Sequence, residues 1–382
     1  MKRTWLFTNL CMIVVLLSAC WDSNEIEDVG LIIGIGLDYG QNEEFSMTHQ
    51  YVVPNNIQGM QGSQGTGQPF QNLTLEGNSF FEIIRENSLE TDRPPNFTHL
   101  KSLVLSEKLI EEESVRKLIS FFLRDHEFRR TVAVFTTKEN VATIMDVEPT
   151  KEIFPAVQIK ELTQNNNKSL EILENTKFSD LSKSVSEDVS FVIPEIEINK
   201  NRIRLSGAAI ISDENFKLAG WLDSKEVQGL KWITNTVKGG IVTLYDKTNK
   251  NPDEHVVLEI SKSNTHIHPS MEKGELKVDV SINTTVRLGE DWHIERDVFK
   301  PGWNKEITRD AEKQIKQSTE NIIQLAQEEY ELDFLNISNW VRIKEPAFYE
   351  KHKKDWNSTF REVPITVKVK VDVDGYGTQD LQ

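Results

Sequence analysis

Between Leu276 and Leu288 the chain alternates at a period of two. Leu276, Val278, Val280, Ile282, Val286 and Leu288 fall on one side, and Asp279, Ser281, Asn283, Thr285 and Arg287 on the other. Successive side chains of a strand point to opposite faces, so this stretch reads as a long strand with one buried face and one wet face. Such a strand needs a covering layer. The segment from about Glu306 to Glu329 offers one, with Ile307, Ala311, Ile315, Ile322 and Ala326 at helical spacing over about 36 Å at 1.5 Å per residue. Ser318 and Thr319 interrupt that stripe, which favours a helix lying on the last sheet over a coiled-coil partner site. Two further strands fit beside the first. One is Val256 to Ile260. The other is Val363 to Val373, with Val367, Val369, Val371 and Val373 opposite Lys368, Lys370, Asp372 and Asp374.

Near the other end, Val29, Leu31, Ile33, Ile35 and Leu37 share a face while Gly30, Gly34 and Gly36 line the opposite one. This predicts a buried strand with something packed close against its glycines. The Gly34-x-Gly36 pair continues into a polar turn, Asp38 to Asn42, and no third glycine opens a helix, so a dinucleotide site is not indicated. A strand from about Phe45 to Val53 follows, then a Gly-, Gln- and Asn-rich loop from Pro54 to Gln71. Beyond it, helices around Ser79–Leu89 and Glu111–Leu123 alternate with strands His99–Leu105 and Thr131–Thr136. A more helical, Asn- and Ser-rich region runs from Thr150 to Ser190. From Ile203 come strands Ile203–Ile211 and Phe216–Leu222, then a helix Lys225–Thr234 behind Asp223, with Glu226 completing a capping box. The fold class expected is α+β, with three units of mixed sheet covered by helices: 20–198, 199–265 and 266–382.

The full sequence has 382 residues and a net charge of −16. Lys2 and Arg3 are the only charges in residues 1–19, so losing that segment leaves −18. Nucleic acid and anionic lipid headgroups would repel such a chain. The first residues are organised differently. Lys2 and Arg3 precede an apolar run from Leu10 to Leu17, then Ser18, Ala19 and Cys20. This is the pattern of a secretory signal over residues 1–19, too short for a permanent span of about 20 apolar residues. Leu17-Ser-Ala-Cys20 has the pattern of a bacterial lipobox, which makes the Cys20 thiol the expected point of diacylglyceryl attachment; an ordinary secreted protein, or an uncleaved anchor, with an incidental cysteine is the alternative. Only two cysteines exist, and Cys11 leaves with the signal, so the mature chain can form no disulfide and must be held by its core. Two acyl chains would hold an acidic protein stably on a membrane.

The sequence contains no nucleophile elbow, zincin motif, P-loop, Cys-x-x-Cys or EF-hand loop. His266-x-His268 puts two imidazoles on one strand face, but two ligands are not a metal site and Pro269 is expected to interrupt the strand. Glu111, Glu112 and Glu113 suit the first turn of a helix, where the dipole favours negative charge. Arg129-Arg130 reads as a solvated strand entry, or an anion or partner contact. Lys351, Lys353 and Lys354 form a small basic cluster that could face headgroups or a protein. Six of eight tryptophans lie at Trp221 or later, which means a heavily packed C-terminal half or a partner-facing one. Trp221 and Trp232 are the candidate partner contacts, with burial in the core as the other reading.

Several of these pieces together resemble a known family. They are Leu17-Ser-Ala-Cys20 followed by Trp21-Asp22, the strand Ile33-Gly-Ile-Gly-Leu-Asp38, Gly220-Trp-Leu-Asp223, Gly229-Leu-Lys-Trp232, Val237-Lys-Gly-Gly240, and Lys353-Lys-Asp-Trp356 before a Val/Lys strand. From Cys20 to about Gly377 the chain resembles the C-subunit lipoproteins of spore germinant receptors, the Ger(x)C family. It departs from that pattern after Asp333, where Phe334-Leu-Asn-Ile-Ser338 replaces a Gly/Phe turn. The resemblance implies a three-domain α+β lipoprotein on the outer face of the spore inner membrane. It would act with a larger A subunit and a transporter-like B subunit in sensing nutrients, without catalytic residues, cofactor or metal. Cys20 alone carries over as a family site residue. A lipid-anchored solute-binding protein is the alternative; it would need two similar lobes around a cleft, and the sequence shows no duplicated lobes.

Overall fold

The computed structural model describes residues 29–57, 67–245, 255–292 and 302–376. Cys20, the signal segment and half of the Gln-rich loop, residues 58–66, lie outside the described residues. The strands form two sheets. The larger runs in the order β10-β9-β8-β6-β5-β1-β2-β3, with short strands β4 (Pro95–Asn96) and β7 (Thr176–Lys177) beside β1 and β6. Its centre is parallel: β1 (Gly30–Tyr39), β5 (Ser102–Ser106), β6 (Ala133–Thr137) and β8 (Phe191–Asn199). Antiparallel strands flank it, with β2 (Phe45–Val52) and β3 (Phe70–Gly77) on one side and β9 (Arg202–Ile211) and β10 (Leu218–Leu222) on the other. A parallel centre must be covered on both faces, and β5 and β6 are buried along their whole length.

One face is packed by α1 (Phe80–Glu90), α2 (Glu107–Glu112), α3 (Val115–Arg124) and α6 (Phe178–Ser186), which share a core with Ile35, Leu37, Leu103 and Val134. The other receives α4 (Val141–Asp146) and α5 (Pro155–Leu162). These are what the glycines of β1 make room for: a Cβ at Gly34 would overlap Ala156 and Met145, and one at Gly36 would overlap Val141. A bulge between Ile32 and Gly34 breaks the expected alternation. It puts Ile32 with Ile35 and Leu37 on one face and Ile33 on the glycine side.

The second sheet, β11-β12-β13-β14, comprises Ile241–Tyr245, His255–Glu272, Glu275–Asp291 and Ile365–Tyr376. Its inner face packs against α8 (Trp303–Gln324), and its outer face is wet, as the alternation of β13 predicts. The helical stripe is unbroken after all. Thr319 is buried because its hydroxyl donates to the Ile315 carbonyl at 2.8 Å, which satisfies it inside the helix. The same helix ties both sheet edges: Glu312 Oε1 accepts from the Val371 N–H of β14 at 3.1 Å, and Gln314 Nε2 donates to the Thr243 carbonyl of β11 at 3.1 Å. Edge groups that could template a foreign strand are thereby engaged.

The sheets do not follow the expected unit boundaries. β8 and β9 form one hairpin across 198/199, through Lys200 and Asn201 at φ 48° and 59°, the type I′ conformation that matches strand twist. β12 runs straight through 265/266. It also continues past Pro269, contrary to the expected interruption. β11 pairs only with residues 255–259, so Pro269 lies where β12 has a free edge and its missing N–H breaks no ladder. Glu111 and Glu112 end α2 instead of opening a helix, because Ser114 starts α3 as a new N-cap; Glu113 caps α2 and accepts from Lys117 Nζ at 2.9 Å.

Candidate functional site at the junction of the two sheets

The back of β9 and β10 shares one core with the second sheet. Ala208, Ile210 and Leu222 pack with Val278, Val280 and Ile322, with α7 (Ser224–Ile233) between them. The Asp223 carboxylate caps α7 by accepting from the Lys225 and Glu226 amides, as the capping box predicts. Gly229 then lets α7 approach α8: a Cβ there would sit 2.5 Å from the Ser318 carbonyl oxygen. Lys231 is fully buried and donates to the carbonyls of Asn166, Ser169 and Ile172 at 3.1, 3.0 and 2.8 Å, fastening the 163–172 segment to α7. Burial pushes its ammonium down to about 8.

Trp232 is 1% exposed and lies in this core, with its carbonyl accepting from the Thr265 hydroxyl at 2.7 Å. It therefore cannot be a partner contact; the buried face of α7 claims the ring. Trp221 is half-buried at the edge of the larger sheet. Its Nε1 donates to Glu107 Oε1 at 2.7 Å, its carbonyl accepts from the Tyr330 hydroxyl at 3.0 Å, and Lys138 Nζ lies 4.2 Å above the ring. Lys138 also reaches Glu195 at 3.3 Å, whose carboxyl burial pushes above its ordinary value. Gly220 leaves space for the Tyr330 ring, which a Cβ would overlap. The tryptophan thus joins the two halves of this chain, through a cation–π contact and two hydrogen bonds.

At a second point the junction opens into a polar cleft of about 610 Å³, lined by Arg116, Asp188, Asp213, Lys353, Lys354 and Asp355 among others. Asp213 accepts from Ser190 Oγ at 2.7 Å and from Asn357 Nδ2 at 2.9 Å, so it bridges the two halves. Asn357 Oδ1 in turn accepts from the Asp333 amide at 3.2 Å. The Asp333 carboxylate is buried and accepts from the Ile337 and Ser338 amides at 3.0 and 2.6 Å and from Trp356 Nε1 at 2.8 Å; burial still pushes it up to about 6. This is the segment that departs from the family pattern, and Asn336 turns it at φ 63° before α9 (Ile337–Lys344). Lys353 pairs with Glu350 at 2.6 Å. Lys353 and Lys354 of the basic cluster line the cleft; Lys351 is exposed and does not.

Chemically, the polar groups named above are paired with one another at the junction. His266 and His268 lie on the wet face of β12, and no group of three or more His, Cys, Asp or Glu able to hold a metal occurs among the described residues. Sequence reasoning missed Asp213, Asp333 and Asn357. The only signal available for them was Trp356 beside Asp355, since their partners lie up to 144 positions apart.

Two family descriptions cover the chain in order: the spore germination protein N-terminal domain matches residues 22–198, and the spore germination B3/GerAC-like C-terminal domain matches 206–377. Spore germination protein A3 of Bacillus subtilis (strain 168) is 31% identical over 376 residues, covering 97% of this chain and 98% of that one. Spore germination protein B3 of the same organism is 26% identical over 381 residues, covering 99% of each. Among solved structures, the crystal structure of the GerBC protein aligns with a TM-score of 0.62 at 23% identity, over 91% of this chain and 99% of that one. This last likeness concerns the fold. The two family matches meet within the β8–β9 hairpin, where the larger sheet passes without interruption from one to the other.

Proposed function

The chain belongs to the spore germination B3/GerAC-like family, the Ger(x)C proteins, and from that premise we propose that it is the lipid-anchored, non-enzymatic C subunit of a nutrient germinant receptor. In this reading a diacylglyceryl group on Cys20 holds it on the outer face of the spore inner membrane. There it works with a membrane A subunit and a transporter-like B subunit of the same receptor. The observation that carries the proposal is the full-length match: both family domains follow in order, beginning two residues after the lipobox cysteine. No helix among the described residues is long and apolar enough to cross a membrane, so in this reading attachment falls to Cys20. The solute-binding alternative is less well supported. The two halves have different topologies, a mixed sheet covered on both faces and a four-stranded sheet around one helix, in place of two similar lobes. Detergent-phase partitioning tests the anchor: wild type should enter the detergent phase and Cys20→Ala should stay in the aqueous phase. Deleting the chain should abolish the spore response to a particular nutrient set. Equal partitioning of the two proteins, or an unchanged response to every nutrient, would contradict the reading.

A further inference from the structure

Helix α1 carries an outward row with two large apolar side chains that the described residues leave at least half exposed, Phe81 keeping one edge-on contact with Phe121. Phe81 is 51% exposed and Leu89 79% exposed, with Arg85 between them stacking its guanidinium 4.7 Å from the Phe81 ring. Positions 81, 85 and 89 are spaced by one helical turn each, so the three side chains form one outward row about 12 Å long. The opposite row, Phe80, Ile83 and Asn87, is buried against the sheet.

The C-terminal end of this helix is fastened to the place where the chain enters the fold. Asn87 Oδ1 accepts from the Tyr51 hydroxyl at 2.5 Å and from Thr91 Oγ1 at 3.2 Å. The turn after the helix then pairs with the start of β1: the Gly30 amide donates to the Pro94 carbonyl at 2.9 Å, and Gly30 and Leu31 lie beside Pro95 and Asn96. Gly30 is ten residues from Cys20. Even fully extended, that length reaches no more than about 36 Å.

We propose that the Phe81–Arg85–Leu89 face of α1 is the surface this protein lays against the lipid bilayer. The inference rests on Cys20 being the acylated residue and adds to it an orientation. A short covalent tether keeps the Gly30 end near the membrane, and the exposed apolar row fixed to that end is seated in the interfacial zone. An amphipathic helix lying in the plane of a bilayer buries such a row, and an arginine in it can keep its charge at headgroup level. The row is flanked by Glu82, Glu86, Glu90 and Asp92 as well as Arg93, so attraction to anionic lipid is not the source of the contact; apolar burial is.

The test uses the mature protein as its host's membrane processes it, mixed with phosphatidylcholine vesicles. Once Cys20 is acylated and the signal removed, Leu89→Cys provides the only free thiol for an environment-sensitive fluorophore. Ile343→Cys, an exposed apolar position outside the row, provides the control. With bromine-bearing acyl chains in the vesicles, the label at 89 should lose most of its emission and the label at 343 should keep it. Protein that floats with the vesicles while both labels keep their emission overturns the proposal and leaves the α1 face to a protein partner. Protein that does not float overturns the anchor at Cys20, and the orientation with it.

Discussion

Asp333 shows how far one buried side chain can reach. It holds three donors, orders the turn into α9 and joins Trp356 to the cleft. Asp333→Asn offers an N–H₂ group where a donor already points, so at least one buried donor loses its acceptor, at about 1–3 kcal/mol. The loss should depend on pH. The wild-type carboxyl is raised to about 6 from 3.8, so the folded state binds the extra proton and gains stability as pH falls through that window, and the amide cannot. The cost of Asp333→Asn should therefore grow between pH 7 and pH 4, by up to about 3 kcal/mol. Denaturation midpoints running parallel to wild type across that range would contradict this. His49 works in the other direction. It is fully buried with burial pushing it down to about 3, so its contribution is fully present above the unfolded value of 6.5 and is lost as pH falls below it. Between pH 4 and about pH 3, where the Asp333 gain is exhausted and His49 still resists protonation, the His49 contribution should go on falling with acid. A His49→Gln variant whose stability runs parallel to wild type in urea titrations between pH 6.5 and pH 3 would contradict this. Neither residue announces itself in the sequence, because what shifts each is burial by elements far along the chain.

At the scale of elements, local periodicity was legible wherever one face alone is buried. β13, β14 and α8 follow their patterns closely, and α7 follows its cap. The departures have local causes: a bulge in β1, a serine N-cap dividing α2 from α3, and an edge position that tolerates Pro269. β3 was unreadable because Gln71, Asn72, Thr74 and Glu76 look like loop, yet Asn72 is bound to Gln50 at 3.1 Å and to the Met145 carbonyl at 2.8 Å. The α7–α8 crossing yields a prediction with a definite sign. In an isolated helix Gly→Ala is stabilising by about 1 kcal/mol, but the Gly229 Cβ would press on the Ser318 carbonyl. Gly229→Ala should therefore destabilise the protein, by about 1–3 kcal/mol as in other overpacked contacts. A raised melting temperature would show that the helices have room to part.

At the scale of the whole molecule, the residues that carry the family resemblance in the middle of the chain turn out to be junction residues. Trp221 and Lys231 hold one half of the chain to the other, Gly220 makes room for Tyr330 beside Trp221, and Asp223, Gly229 and Trp232 build and seat α7 between them. The sequence showed that these residues belonged together but not which strands they would join, because sheet order depends on pairings such as β6 with β8 and β1 with β5, which no local pattern records. In the function proposed above, the chain acts by being held at a membrane beside its partners. Affinity capture of the tagged, lipidated protein from detergent-extracted spore membranes tests that claim most directly. The account predicts that the A and B subunits of one receptor co-purify with the wild-type chain. Recovery of the wild-type chain alone, from membranes that still contain both subunits, would contradict it.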